Sequence, residues 1–367
     1  MFKILYVTTI SDTMDFFPSH INMILDQGHT VDMACNVIKP INLQLLKRGC
    51  KVFNIEFQRS PFKKENYSAY KKLKKLIQDE KYDLVHTHTP VASVCVRLTC
   101  RKMKNIKVFY TAHGFHFFKG APKKNWLIYY PIEKWLARYT DVLITINKED
   151  YKRARKFKAK KVVYVPGVGI DVTNFSTSSV DRWKKRIELG IPDETIVLLS
   201  IGELSKRKNH KLIIKSLRKI NRPDIIYIIC GQGELDVYLK KLAEELNVSV
   251  KFLGYREDIA EICYAADIFV FPSYQEGLPV ALMEAMSTGL PVICSRIRGN
   301  TDLIEESKGG YLVDSDDTNG FAKAIVKLIN ESSGMGKHNI ETVRYYDIQN
   351  VIKKMKELYE AEFNKEG

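Results

Sequence analysis

Residues 267–296 read DIFVFPSYQEGLPVALMEAMSTGLPVICSR, and the way this run folds decides the architecture of the chain. "DIFVFPS" is a short apolar run of β-branched and aromatic residues, the pattern of a strand buried on both faces. "LPVALMEAMSTG" reads as a helix, with Pro279 near its first turn and Gly289 past its end. "PVICSR" is a second buried strand. Strand, helix, strand in this order is the signature of a parallel α/β sheet. The run also carries two carboxylates, Glu276 and Glu284, eight positions apart. An unpartnered buried carboxylate is costly, so a segment that merely filled a core would keep neither.

The same alternation extends outward in both directions. In the first half the strands are "KILYVTT", "HTVDMACN", "CKVFNIEF", "DLVHTHT", "KVFYTAHG", "DVLITIN" and "KVVYVPG", with helices at 65–79, 90–104 and 124–139. After a polar stretch at 171–180, "DVTNFSTSSV", the pattern restarts with "TIVLLSIG", "DIIYIICG", "VSVKFLGY", "DIFVFPS", "PVICSR" and "GYLVD". The expected fold is α/β, with two doubly wound, Rossmann-like domains at 1–170 and 171–346. Ligands in such folds bind beyond the carboxyl ends of the strands, so two facing domains predict a cleft. A last helical stretch, about 335–364, is long enough to cross back and pack residues 347–367 on the first domain.

With 367 residues, 45% of them apolar, the chain is long enough for two cores. Its seven cysteines form no CxxC pair and mostly sit in strand-like runs, as reduced structural thiols do. The opening apolar run is too short for a signal peptide, and no 18-residue apolar span occurs. A cytoplasmic chain is expected. The net charge of +15 is unevenly placed: residues 1–170 hold 31 Lys/Arg against 13 Asp/Glu, and residues 171–367 hold 27 against 30. The first half is therefore expected to face an anionic surface.

The chemistry concentrates around the opening run. Glu276 falls in the loop at a strand's carboxyl end. Glu284 falls about a turn and a half into the helix, roughly 8 Å along its axis. Between them lies the helix N-terminus, whose free N–H groups and positive dipole end suit phosphate. Carboxylate, anion site and carboxylate complement the sugar hydroxyls, diphosphate and ribose hydroxyls of a nucleotide-sugar. The plain alternative is two surface glutamates on an amphipathic helix. A glycosidase couple, with carboxyls about 5–5.5 Å or about 6.5–9.5 Å apart across one bond, fits poorly with an anion site in between. His86 and His88 share a face of one strand, but no third ligand has suitable spacing, so no metal is expected. "CGQGEL" lacks the third glycine of a dinucleotide fingerprint. A basic nucleic-acid-binding protein is the alternative of another class, but no recognised nucleic-acid motif is present.

The spacing of Glu276 and Glu284 within "EGLPVALMEAMSTGLPVI" resembles the signature of glycosyltransferase family 4, whose members are retaining, metal-independent, nucleotide-sugar-dependent enzymes of GT-B fold. "GELSKRKNH", "CGQGE", "VKFLGYRED" and "ADIFVFPS" continue the resemblance, and "DLVHTHTP", "YTAHG" and "VPGVGID" occur in the expected order. It covers essentially the whole chain and is nearest to bacterial exopolysaccharide and capsule enzymes. It implies that Glu276 holds sugar hydroxyls, Glu284 the ribose, and Lys208 the diphosphate. Gly277, Leu278 and Pro279 would form the turn feeding the helix N-terminus. His113 would contact the donor sugar, and His20 matches the histidine that opens the helix after the first strand. The chain departs from the pattern where Glu203, rather than arginine, follows Gly202. Glu203 is then expected to face sugar hydroxyls or to pair with Lys206 or Arg207, and Arg207 to replace the missing arginine. No cofactor is implied, and the donor is expected to be UDP-linked by family habit.

Residues 67–78 and 115–139 mix lysine and arginine with aromatics, as interfaces with anionic membranes do. Lys123, Lys124 and Trp126 are the expected acceptor and membrane contacts. The competing reading turns Trp126, Tyr130 and Trp135 inward. A lipid-linked saccharide acceptor, with the enzyme peripheral at the inner face of the membrane, accounts for the charge. A GT-B enzyme with a soluble sugar or sugar-phosphate acceptor is the alternative.

Overall fold

A computed structural model of the chain describes residues 1–175 and 181–364. Among the described residues the β-branched and aromatic runs form thirteen strands, most of them trimmed at their ends relative to the sequence pattern. β1 (Lys3–Ile10), β2 (Thr30–Asn36), β3 (Val52–Asn54), β4 (Leu84–Thr87), β5 (Lys107–Ala112), β6 (Val142–Thr145) and β7 (Lys161–Tyr164) make one sheet. Its order is β3-β2-β1-β4-β5-β6-β7, and every pairing is parallel. A second sheet has the order β10-β9-β8-β11-β12-β13, again parallel throughout. It comprises β8 (Ile196–Ile201), β9 (Ile225–Cys230), β10 (Val250–Gly254), β11 (Ile268–Phe271), β12 (Val292–Ser295) and β13 (Gly310–Val313).

Both orders are doubly wound. The strand sequence reverses between β1 and β4 in one sheet and between β8 and β11 in the other, and such a reversal opens a crevice at the strands' carboxyl ends. The chain divides into two units, Met1–Gly169 with Ile348–Gly367, and Ile170–Asp347. Each has its own core. Ile4, Tyr6, Phe17 and Phe109 belong to a cluster in the first, and Leu198, Tyr227, Val270 and Phe321 to one in the second. The seven cysteines are buried free thiols.

Of the two connecting segments, the second needs correction. The polar stretch at 171–180 begins with a helical turn, Val172–Phe175, whose Val172 is buried; residues 176–180 lie outside the described residues. The stretch at 335–364 is not one helix. It forms Met335–Val343, a 3-10 turn at Arg344–Tyr346, and a separate helix Ile348–Phe363. The break falls at Asp347, which is extended (φ −57°, ψ 142°) and bridges to Ile170, while the Ile170 N–H donates to the Tyr346 carbonyl at 3.2 Å. These contacts divert the backbone from the helical path.

The final helix places Val351, Met355, Leu358, Tyr359 and Phe363 in the core of the first unit. The Tyr359 hydroxyl lies 2.8 Å from that of Tyr6 and 2.6 Å from His86 Nδ1. Both partners are fully buried. Tyr359→Phe deletes the shared hydroxyl and strands both of them, and a buried group left unpaired costs about 1–3 kcal/mol. Denaturant unfolding should show a loss of this size; a loss below about 0.5 kcal/mol, the scale of an ordinary surface substitution, would mean that the helix is not held by this network.

Candidate active site

In the second unit the site grows from the two strands that flank the sheet reversal. β8 ends at Ile201 and β11 at Phe271, and the loops that follow are tied together. The Tyr274 N–H donates to the Arg207 carbonyl at 2.9 Å. Asn209 Nδ2 donates to the carbonyls of Pro272 (3.2 Å) and Ser315 (2.9 Å), joining the ends of β8, β11 and β13. Gly202 is required at the head of the first loop. Its φ is +151°, and a Cβ there would come within 2.9 Å of the Lys208 side chain. The glycine lets the lysine stem lie across the strand end.

Lys208 Nζ and Arg207 Nη1 both reach Glu276 Oε1, each at 2.9 Å. Lys208 is nearly enclosed and lies 4.4 Å from the centre of the Phe271 ring. Burial lowers its pKa, and the Glu276 charge pulls the other way. Among the described residues nothing hydrogen-bonds to the second carboxylate oxygen of Glu276, Oε2. Arg298, buried, donates from Nε to the Glu276 backbone carbonyl at 3.0 Å and fixes the loop. Glu203 is mostly exposed and approaches Arg207 Nη2 at 4.0 Å. At that distance and exposure the pair contributes about 0–1 kcal/mol.

Gly277 and the buried Leu278 lead to Pro279, the N-cap of the helix Val280–Ser287, whose first turn has no side-chain cap. Its first N–H groups therefore keep their capacity for an anion. Glu284 is the fifth helical residue, about 6 Å along the axis at 1.5 Å per residue. This is shorter than expected, because the helix begins at Val280. The carboxyl is half-buried, and among the described residues no hydrogen bond or ion pair reaches it. Burial alone raises its pKa from 4.5 to about 7. A carboxylate held in this way has unused acceptor capacity.

His113 belongs to the first unit, just beyond β5. Its Nε2 lies 3.1 Å from His88 Nδ1. The rings of His86 and His88 are 4.1 Å apart, and His20 Nε2 donates to the Val168 carbonyl at 2.9 Å. Burial, more than any neighbouring charge, drives all four imidazoles toward the neutral form, His113 to about 4. His86 also bonds to Thr111 at 2.8 Å. Among the described residues no group of three or more histidine, cysteine or acidic side chains has a metal-binding arrangement.

Lys123 and Lys124 are exposed at the start of the helix Lys123–Leu136. Trp126 does not join them at the surface. It turns inward onto Phe117 and Tyr130, with the Arg153 guanidinium 4.7 Å from its ring. The aromatic pocket and the cation together outcompete solvent for the indole. The apolar groups on the outside are Leu127, Ile128, Ile132 and Trp135. Among the described residues no helix is long and apolar enough to cross a membrane. Sequence reasoning missed Arg298 and Asn209 as parts of these sites. The signal available was position: each follows or ends a strand on the carboxyl side of its sheet.

Comparison with known proteins places these features in a family. Residues 181–344 match the family of glycosyl transferases group 1, and residues 3–147 match the glycosyl transferase 4-like family. EpsD of Bacillus subtilis (strain 168) is 36% identical over 321 residues, which is 84% of each chain. An Escherichia coli protein named UDP-Gal:alpha-D-GlcNAc-diphosphoundecaprenol alpha-1,3-galactosyltransferase is 33% identical over 302 residues, 78% of this chain and 77% of that one. The Anabaena protein Alr3699/HepE, solved in complex with UDP and glucose, shares the fold with a TM-score of 0.80 at 19% identity, covering 98% of this chain and all of that one.

The raised Glu284 pKa makes a signed prediction. Between pH 4.5 and 7 the folded protein holds a proton that the unfolded chain has released, so stability falls as pH rises through that window. Glu284→Gln removes the titration. The variant should match the wild type near pH 4 and exceed it at pH 8 by about 1–3 kcal/mol, seen as a higher melting temperature. An equal gap at both pH values would show that the carboxyl is not held in this way.

Proposed function

This chain belongs to the glycosyl transferases group 1 family, and on that premise we propose that it transfers a sugar, with retention, from a UDP-linked donor to a lipid-linked saccharide. The observation that carries the reading is the grouping of Lys208, Arg207 and Glu276 beside an uncapped helix start, with the partnerless Glu284 about one turn further on. The activity for which the E. coli relative is named, with a UDP-sugar donor and a diphospholipid acceptor, supports both halves of the reaction.

In this reading the diphosphate lies against the first turn of the helix Val280–Ser287 and draws Lys208 and Arg207 toward itself. Each charge-assisted hydrogen bond contributes about 1.5–3 kcal/mol. The bond between the anomeric carbon and the diphosphate oxygen breaks, and the electron pair leaves with the nucleotide. Charge builds on that oxygen in the transition state, where the two cations bind it more strongly than they bind the ground state. The acceptor hydroxyl attacks from the same face and passes its proton to the departing phosphate oxygen, so no enzymic nucleophile takes part. Glu284 accepts from the ribose hydroxyls, which favours its ionised form and offsets the burial that now opposes it. Glu276 Oε2 accepts from sugar hydroxyls. His113, neutral through burial, serves as a hydrogen-bonding partner of the donor sugar and not as a cation. Lys208 and Arg207 neutralise the charge, so transfer needs no bound metal. The exposed Lys123 and Lys124, with Leu127 and Trp135 nearby, support a peripheral position on the cytoplasmic face of an anionic membrane.

Two measurements test this. UDP at a hundred times its dissociation constant should stabilise the wild type by about 2.7 kcal/mol, and the shift should largely vanish in Glu284→Ala and weaken in Arg207→Ala. Undiminished shifts in both would remove the donor site from this helix. With EDTA present, sugar transfer should stay within about twofold of its normal rate, well under 1 kcal/mol of barrier; a loss that added Mg²⁺ or Mn²⁺ restores would refute the metal-free mechanism.

A further inference from the structure

The amino ends of β5, β6 and β7 lie at the opposite end of the first unit's sheet from its crevice, and the three connections that enter these strands meet around a cavity of about 450 Å³. The connection into β5 brings Arg101, Lys102, Lys104 and Lys107, the one into β6 brings Arg138, and the one into β7 brings Lys160. Lys123 and Lys124 do not belong to this group. They begin the helix Lys123–Leu136, which puts about 20 Å between them and Arg138.

The negative charge nearby does not balance these six cations. Among the described residues Asp141 is the one carboxylate that lines the cavity. Its two oxygens accept from Lys160 at 2.7 Å and from the Val108 N–H at 2.8 Å. Glu362, on the final helix, acts on Lys160 through its charge, and its backbone carbonyl accepts from Lys107 Nζ. The helix Pro90–Cys100 ends here, and so does Lys123–Leu136 with its 3-10 turn. A cation at a helix C-terminus ordinarily answers the helix dipole, and each such end carries about half a negative charge. Two carboxylates and two helix ends thus supply about three negative charges, half of what the cations require. Arg101, Lys102, Lys104 and Arg138 are exposed, and among the described residues no hydrogen bond or ion pair reaches their side chains.

The remaining lining gives the cavity a floor. Met103 and Ile106 are half-buried against a core cluster, and the Tyr139 ring is held edge-on by Trp135 at 5.6 Å. A concave site of this size encloses a small molecule. A flat anionic surface would meet the exposed cations and leave the floor empty. The residue types favour phosphate: a planar guanidinium takes two phosphate oxygens at once, and lysine adds a point charge. A surplus of several cations calls for a chain of phosphoryl groups and not for a single one. Open α/β sheets place their reacting ligands at the carboxyl ends of the strands, so an occupant at the amino ends takes no part in sugar transfer.

We propose that this cavity is a separate anion site that binds a chain of two or three phosphoryl groups, with Arg101 and Arg138 holding it from two sides and Lys102 and Lys104 supplying further charge. A free inorganic oligophosphate and the phosphate tail of a nucleotide share this chemistry. In the second case the base lies on Met103, Ile106 and Tyr139. The inference does not depend on the donor or the acceptor proposed above.

The test measures binding of tripolyphosphate to the full-length protein by calorimetry, at physiological ionic strength and with UDP in excess, so that a diphosphate region in the second unit is filled. The wild type should bind tripolyphosphate at least about tenfold more tightly than inorganic phosphate. Arg101→Gln/Arg138→Gln replaces two exposed side chains, and a cooperative melting transition shows that the variant is folded. It should bind tripolyphosphate about tenfold more weakly than the wild type, or worse. Lys63→Gln/Lys64→Gln removes the same charge elsewhere in the unit and should change the affinity by less than about twofold. Tighter binding of ATP than of tripolyphosphate would assign the site to a nucleotide, and equal or weaker binding would assign it to the oligophosphate alone. Absence of binding by the wild type would overturn the proposal, as would full affinity in Arg101→Gln/Arg138→Gln. Equal losses in the two variants would overturn it too, because overall charge would then explain the binding, and so would sulfate matching tripolyphosphate at equal ionic strength. Tripolyphosphate binding that excess UDP abolishes would belong to the second unit. Phosphatidylglycerol vesicles that bind through Arg101 and Arg138 and that tripolyphosphate fails to displace would make these residues a membrane contact and end the proposal.

Discussion

The ion pair between Lys208 and Glu276 is the constraint on which the second unit's site depends. Both side chains are about nine-tenths enclosed. Removing two charges from water costs several kcal/mol per ion, and their attraction repays this only with good geometry and further hydrogen bonds. Those further bonds are present. Arg207 adds a second donor to the same oxygen, and Arg298 holds the backbone beneath it. Packed hydrophobic residues of equal volume would be as stable or more so, so such a pair is weak evidence for stability alone. Its value lies in what it keeps in place: a lysine and a carboxylate at the mouth of an open α/β sheet, desolvated before any ligand arrives, with the more exposed Arg207 beside them.

This arrangement also explains how the chain departs from the family pattern without losing its charge balance. Glu203 stands where arginine is common, and an unpaired carboxylate beside a diphosphate would repel it. The side chain instead points into solvent, where screening weakens its field, and lies near Arg207. Arg207 comes from the following turn and takes up a position on Glu276. Positive charge returns to the mouth of the sheet from four residues further along the chain.

The fold was legible because parallel strands buried on both faces leave long apolar runs, and every run that was read as a strand forms one. The segment 267–296 was the clearest case, with Pro279 and Gly289 marking the limits of its helix. What escaped was set by distant partners. The break at Asp347 depends on a bridge to Ile170, far away in sequence, and helical periodicity carries no trace of it. Trp126 looked like a membrane anchor beside two lysines, but Phe117, Tyr130 and Arg153 claim its ring. Within the site, Glu276 and Glu284 could be picked out because carboxylates are conspicuous in apolar surroundings, while Lys208, among polar neighbours, stood out only through the resemblance to the family pattern. Arg298 could not, since an arginine after a strand is unremarkable until its carbonyl partner is known.

The two units show how one topology is specialised through its strand ends. Each sheet reverses its order once and opens a crevice there. In the second unit the loops at the crevice supply cations, carboxylates and a bare helix start, a set suited to a polar, multiply charged ligand. In the first unit they supply neutral buried imidazoles, strained Thr89 and an apolar wall. The chain's charge is distributed in the opposite sense, since the excess of lysine and arginine belongs to the unit whose crevice is the less polar. Few of those cations serve the inside of that crevice: Arg59 lines it, and Arg97 is paired with Glu133 in its wall. Lys63, Lys64, Lys123 and Lys124 are exposed, and charges placed in this way act at long range through the solvent and not within the crevice.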